Sequence, residues 1–144
     1  MKKIIVLMTI SFWVGGCKVG NDQPIGQDRL PAAAREFVSR HFSEAEILLA
    51  TMDKETFDTT YDVFFKDGRK IEFGKNGQWR EIDCKSSPIP LGAIPEEIGR
   101  YVSSNYPDHF ASEIDRNKHG YEVKLNNGIE LKFDSRFRLV GVDD

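Results

Sequence analysis

Apolar and polar residues alternate with a period of two from Tyr61 through Val63 to Phe65 and again from Ile71 to Phe73. Between these runs the pair Asp67-Gly68 supplies a tight turn. This pattern predicts a β-hairpin, and it returns further along the chain. Tyr121, Val123 and Leu125 alternate, Asn127-Gly128 supplies the turn, and Ile129, Leu131 and Phe133 follow. The whole stretch 61–83, YDVFFKDGRKIEFGKNGQWREID, corresponds to 121–143, YEVKLNNGIELKFDSRFRLVGVD, at an offset of 121 − 61 = 60. Asn76-Gly77 marks a further turn, so residues 78–83 and 137–142 read as closing strands. Less regular strand candidates occupy 46–53 and 112–118.

Upstream of each of these segments the period changes to 3.6. Leu30, Ala34, Phe37, Val38 and His41 define one apolar stripe, and Ile94, Ile98, Tyr101, Val102 and Asn105 define another. Pro31 and Pro95 stand where proline costs a helix no hydrogen bond. The segments FVSRHF and YVSSNY match at an offset of 101 − 37 = 64, so the second copy is shorter by 64 − 60 = 4 residues between helix and sheet. The expectation is an α+β fold: a tandem repeat of a helix plus about four antiparallel strands, one copy over 29–84 and one over 93–144. A unit of this size buries only about 60% of its unfolded surface and is marginal alone. The short Pro-rich joint KSSPIPLG, 85–92, keeps the two copies close enough to lean on each other.

Residues 1–17 stand apart from this pattern. Lys2 and Lys3 precede an apolar run, 4–14, that is too short to span a bilayer, which reads as an export signal. Its end, Val14-Gly15-Gly16-Cys17, resembles the bacterial lipobox, in which the cysteine is lipidated and becomes the new N-terminus; the other reading of Cys17 is a leftover of a plain cleaved signal. Residues 18–28, KVGNDQPIGQD, show neither period and read as a tether with an r.m.s. span of about 20 Å. Lys18 rather than an acidic residue follows the cysteine, which by the enterobacterial sorting rule leans towards the outer membrane. The expected location is therefore the cell envelope, facing the periplasm, held to the membrane by a lipid anchor.

Without residues 1–17 the chain carries 18 − 23 = −5 charges. An acidic body is unsuited to tracking phosphates, so no nucleic-acid partner is expected. Beyond Cys17 the only thiol is Cys84, which excludes a disulfide framework within one chain.

The helix opening L/I-P, the Tyr-x-Val strand, the Asp-Gly or Asn-Gly turn and the closing strand, duplicated behind a lipobox, resemble the beta-lactamase-inhibitor-like, PepSY-like family of exported proteins from Bacteroides and relatives. The likeness covers 30–144. It implies helix-plus-antiparallel-sheet units similar to a secreted beta-lactamase inhibitor, in proteins of unknown biochemical role. No catalytic or ligand residue is established for that family, so none is carried over, and inhibition is an analogy of fold.

Candidate chemistry is sparse. His41, His109 and His119 lack the spacing of a metal site, and a packed or solvated role is the simpler reading of each. Glu44, Glu46, Asp53, Glu55 and Asp58 read as solvated strand and loop faces without the ligand spacing of a calcium loop. Cys84 beside Lys85 reads as a buried or strand-end cysteine sooner than a reactive one. No cofactor, metal or catalytic residue is expected, and the chain is not read as an enzyme. Trp79, aligned with Leu139, reads as core, as do Phe37 and Tyr101. In the polar register of the first hairpin, Asp62, Phe64, Lys66, Lys70 and Glu72, only Phe64 is apolar. Either it is an exposed contact for a protein or peptide partner, or the loop containing Met52 and Phe57 covers it. The function expected is a non-catalytic binding module, and the alternative is a proteinaceous inhibitor of a protease or beta-lactamase.

Overall fold

Strand alternation decides which side chains meet in the computed structural model, which describes residues 22–144. Cys17 and the segment before residue 22 lie outside the described residues. In chain order the elements are β1 (Gln23–Ile25), α1 (Ala32–His41), β2 (Ile47–Lys54), β3 (Thr59–Phe65), β4 (Lys70–Gly74), β5 (Trp79–Asp83), α2 (Glu96–Asn105), β6 (Ala111–Asn117), β7 (Gly120–Leu125), β8 (Glu130–Asp134) and β9 (Leu139–Asp143).

The expected tandem of helix-plus-four-strand units is not what forms. The strands make one continuous nine-stranded antiparallel sheet in strict chain order, with two short helices. The reason lies at the middle, where β5 and β6 pair directly: Glu81 opposite Asp115, Ile82 opposite Ile114, Asp83 opposite Glu113. Separate units would each leave an edge of unpaired N–H and C=O groups there, and pairing removes both edges. Periodicity within a segment reports the faces of a strand but not which strand lies beside it. The segment read as a tether also contributes to the sheet, because Gln23, Pro24 and Ile25 pair with Met52, Thr51 and Ala50. The proline-rich joint runs along β6, where the Ile89 N–H donates to the Ala111 carbonyl at 2.9 Å.

Both helices cover one face. From α1, Ala34 and Val38 turn inward, and from α2, Ile98 and Val102, onto Val63, Phe65, Ile71, Phe73, Ile82, Ile114, Val123, Leu125, Leu131 and Phe133. Phe37 meets Phe73 edge-on at 5.8 Å and Tyr101 meets Phe133 edge-on at 5.4 Å. Trp79 is buried and carries the Arg116 guanidinium over its ring at 4.3 Å, while an Arg116 N–H donates to the Trp79 carbonyl. This contact ties the fifth and sixth strands together beside their hydrogen bonds. Leu139, the counterpart of Trp79 on β9, is 36% exposed. The opposite face of the sheet has no helix among the described residues, and its side chains are mostly polar, Phe64 and Leu49 being apolar exceptions.

Candidate functional site

Because adjacent residues of a strand point to opposite faces, the acids between the buried apolar residues must all emerge on the uncovered face. Cross-strand register then lines them up. Asp62 lies opposite Glu72, Glu72 opposite Glu81, Glu81 opposite Asp115, and Asp115 opposite Glu122. Beside this acidic row runs a mixed one, in which Phe64 faces Lys70, Lys70 faces Asp83, Asp83 faces Glu113, and Glu113 faces Lys124. Like charges directly opposite one another destabilise a sheet.

Both rows pass through one tripeptide used twice. Glu81-Ile82-Asp83 and Glu113-Ile114-Asp115 lie antiparallel about Ile82 opposite Ile114, both 0% exposed beneath them. Oxygens of Glu81, Asp83 and Glu113 all lie within 4.8 Å of one another. Two oxygens on opposite sides of a calcium ion, each about 2.3–2.6 Å from it, stand about 5 Å apart, so this spacing suits a shared cation. The neighbouring depression of about 260 Å³ is lined by Glu113, Asp115, Glu122, Val123, Lys124 and Glu130.

Proton affinities record the crowding. Asp115 is pushed up to about 8, first by partial burial and then by Glu81, Glu113, Glu122 and Glu72. Asp62 is raised to about 6, again chiefly by burial, against the opposing pull of Lys70. Glu81 and Glu113 are raised by the same cause. Asp62 Oδ1 is buried without a hydrogen bond, and Lys70 Nζ stands 3.8 Å from it, close enough for charge attraction but too far for a hydrogen bond. The Asp83 carboxylate accepts from the Lys85 backbone N–H and from Lys85 Nζ, both at 2.9 Å.

Of the hairpin residues singled out by the sequence, Asp62, Phe64, Lys70 and Glu72 share this face. Lys66 leaves it, forming an exposed ion pair with Glu46 at 2.8 Å. Phe64 is half-buried, with Lys70 Nζ 5.6 Å from its ring centre and Leu49 opposite it on β2. Phe57 is 99% exposed and does not cover it. His41 packs on Phe37 at 4.7 Å, with its pKa lowered by burial and then by Arg40. Cys84 is buried, and burial pushes its thiol up to about 11.

Glu81, Asp83, Glu113 and Asp115 were not among the residues that the sequence picked out. Their signal was the recurrence of Glu-Ile-Asp at 81–83 and 113–115, separated by 113 − 81 = 32 residues. That spacing is neither of the offsets relating the two similar stretches, and only the β5–β6 pairing gives it meaning.

A family model described as "Putative beta-lactamase-inhibitor-like, PepSY-like" matches residues 59–141. Among solved structures, one from Bacteroides vulgatus, described as a putative periplasmic protein of the DUF2874 family, is 43% identical. It is covered over 99% of its length and 88% of this chain, with a TM-score of 0.84. A second, from Bacteroides thetaiotaomicron, described as a putative calcium-regulated periplasmic protein, is 43% identical, with 97% of its length and 85% of this chain covered and a TM-score of 0.82. A third, again from Bacteroides vulgatus and described as a putative periplasmic protein of unknown function, is 38% identical, with 99% and 85% covered and a TM-score of 0.79. No curated protein matches the chain. Among the described residues no helix is long and apolar enough to cross a membrane. With more than half of its length matched by the family model and its solved relatives covered almost end to end, this chain belongs to the PepSY-like, beta-lactamase-inhibitor-like family of periplasmic-type proteins.

Proposed function

We propose that this protein is a non-catalytic, periplasm-facing binding module whose uncovered sheet face takes a divalent cation, calcium foremost, on Glu81, Asp83 and Glu113, with Asp115 beside them. The observation that carries this reading is the antiparallel pairing of the two Glu-Ile-Asp tripeptides, which sets carboxylates opposite carboxylates at the centre of the sheet. A cation between them turns mutual repulsion into shared attraction. The relative described as calcium-regulated, 43% identical to this chain, supports the choice of ion. A site of this kind, on a strand face with water completing the coordination, belongs to the weak extracellular class of roughly 10⁻⁴–10⁻³ M. Titration of the full chain with calcium chloride in a calorimeter tests it. Saturable heat that disappears in the Glu81→Gln, Glu113→Gln double variant is the expected result. Absence of both heat and a shift in melting temperature at about 10 mM calcium, about tenfold above the upper end of that range, would sink the reading.

The module's place in the envelope follows from Cys17, whose lipobox-like setting supports a lipid anchor, with Lys18 favouring the outer membrane. Growth with a radiolabelled fatty acid checks this: wild type takes up label and Cys17→Ala does not, and an unlabelled wild type rejects the anchor. Inhibition of a beta-lactamase or protease is supported by the family description, which is a likeness of fold.

A further inference from the structure

The two ends of the sheet are finished differently. At one end β1 is three residues long and carries Pro24, which has no N–H to offer. At the other, β9 reads Leu-Val-Gly-Val-Asp, with neither proline nor lysine, and among the described residues its sheet partner is β8 alone.

A comparison within the molecule indicates what such an edge can accept. On β5, Trp79 lies opposite Phe73 and Ile82 opposite Ile71, with a bulge between them. On β9, Leu139 lies opposite Phe133 and Val142 opposite Leu131, with the same bulge. Trp79 and Ile82 are 7% and 0% exposed, flanked by the strand β6. Leu139 and Val142 are 36% and 49% exposed, and Val140 is 67% exposed. The β9 edge thus has the apolar register that buries itself when a strand lies alongside.

We propose that β9 pairs antiparallel with β9 of a second copy of this chain, joining two sheets into one across a two-fold axis. Charge selects the occupant. Arg136 and Arg138 precede the strand, and Asp143 and Asp144 end it, so an antiparallel second copy sets each basic end on the other's acidic end. Arg138 has 71% of its side chain exposed beyond its ion pair with Asp134, and Asp143 is half exposed beside Lys132. Pairing of β9 with β1 of another copy would build an open filament, but a short proline-bearing strand is a poor template for it. A single strand pair buries less than the roughly 1,600 Å² of a standard interface, so the dimer dissociates on dilution.

A cysteine scan of the full chain at Leu139, Val140, Gly141 and Val142, oxidised in the intact envelope, tests the pairing. A covalent dimer that is strongest at one of these positions is expected, with none from unsubstituted protein or from Leu48→Cys, an exposed site on β2. Adding Arg138→Asp to the best crosslinking variant should weaken the band at least tenfold, and adding Asp144→Arg as well should restore it. No dimer at any scanned position, equal dimer from Leu48→Cys, or a band indifferent to the charge changes overturns the proposal. Melting curves of each variant confirm that the chain is folded, and Val140→Cys, being largely exposed, is the variant least able to disturb folding.

Discussion

Asp115 shows how a single side chain can hold energy in reserve. Its carboxyl is surrounded by Glu81, Glu113, Glu122 and Glu72 and partly removed from water, so its proton is retained to about pH 8. In an unfolded chain the same group releases its proton near pH 4. The raised value means that the neutral form supports the fold fully below about pH 4, and that this contribution is lost as pH rises through about 8. Asparagine keeps the shape without the charge. Without added calcium, Asp115→Asn is expected to stabilise the fold at pH 8 by about 0.5–1 kcal/mol, the scale of a like-charge cross-strand pair. Chemical denaturation at pH 8 and pH 5 measures it, and the gain should shrink at pH 5. None of this was legible from Asp115 itself, because in the sequence it is one acid in an irregular strand candidate. Phe64 was legible as an apolar intruder in a polar register, and its place on the open face near Lys70 follows from alternation alone.

Among the elements, the hairpins and helices could be read directly. The turns Asp67-Gly68 and Asn127-Gly128 sit between the strands they were expected to join, with Gly68 and Gly128 at φ of 94° and 90°. Both helical stripes face the core through Ala34, Val38, Ile98 and Val102, whereas Asn105, placed on the second stripe by spacing, is exposed at the helix end. Beyond the reach of periodicity were β1, whose three residues show no usable pattern, and the β5–β6 pairing, which depends on the intervening helix returning the chain to the sheet edge. Gly120 shows how tightly one element constrains another. At the start of β7 its φ is 145°, and a methyl group there would stand 2.0 Å from the Phe133 carbonyl oxygen. Gly120→Ala must therefore push β7 away from β8, at a cost of about 2–4 kcal/mol. A fall in the denaturation midpoint with unchanged slope is the expected readout.

For the whole molecule, the proposed calcium site would make stability a joint function of proton and cation concentration. Asp62, Glu81, Glu113 and Asp115 all have raised proton affinities, so acidification neutralises the repulsion, and a cation on the proposed site would do the same at higher pH. Millimolar calcium should raise the melting temperature by several degrees at pH 8 and by little at pH 5. Equal shifts at both would place the ion elsewhere.

The strict chain order of the strands has a consequence for how the molecule is made. Each strand's partners are its immediate neighbours in the chain, so no strand must wait for a distant segment before pairing. A chain delivered through a membrane channel N-terminus first can therefore build its sheet in the order in which it emerges. Every arriving strand finds its template already in place, and the growing edge at any moment is the strand that has just appeared. Among the described strands β9 comes last in the chain, and its outer edge is still able to receive.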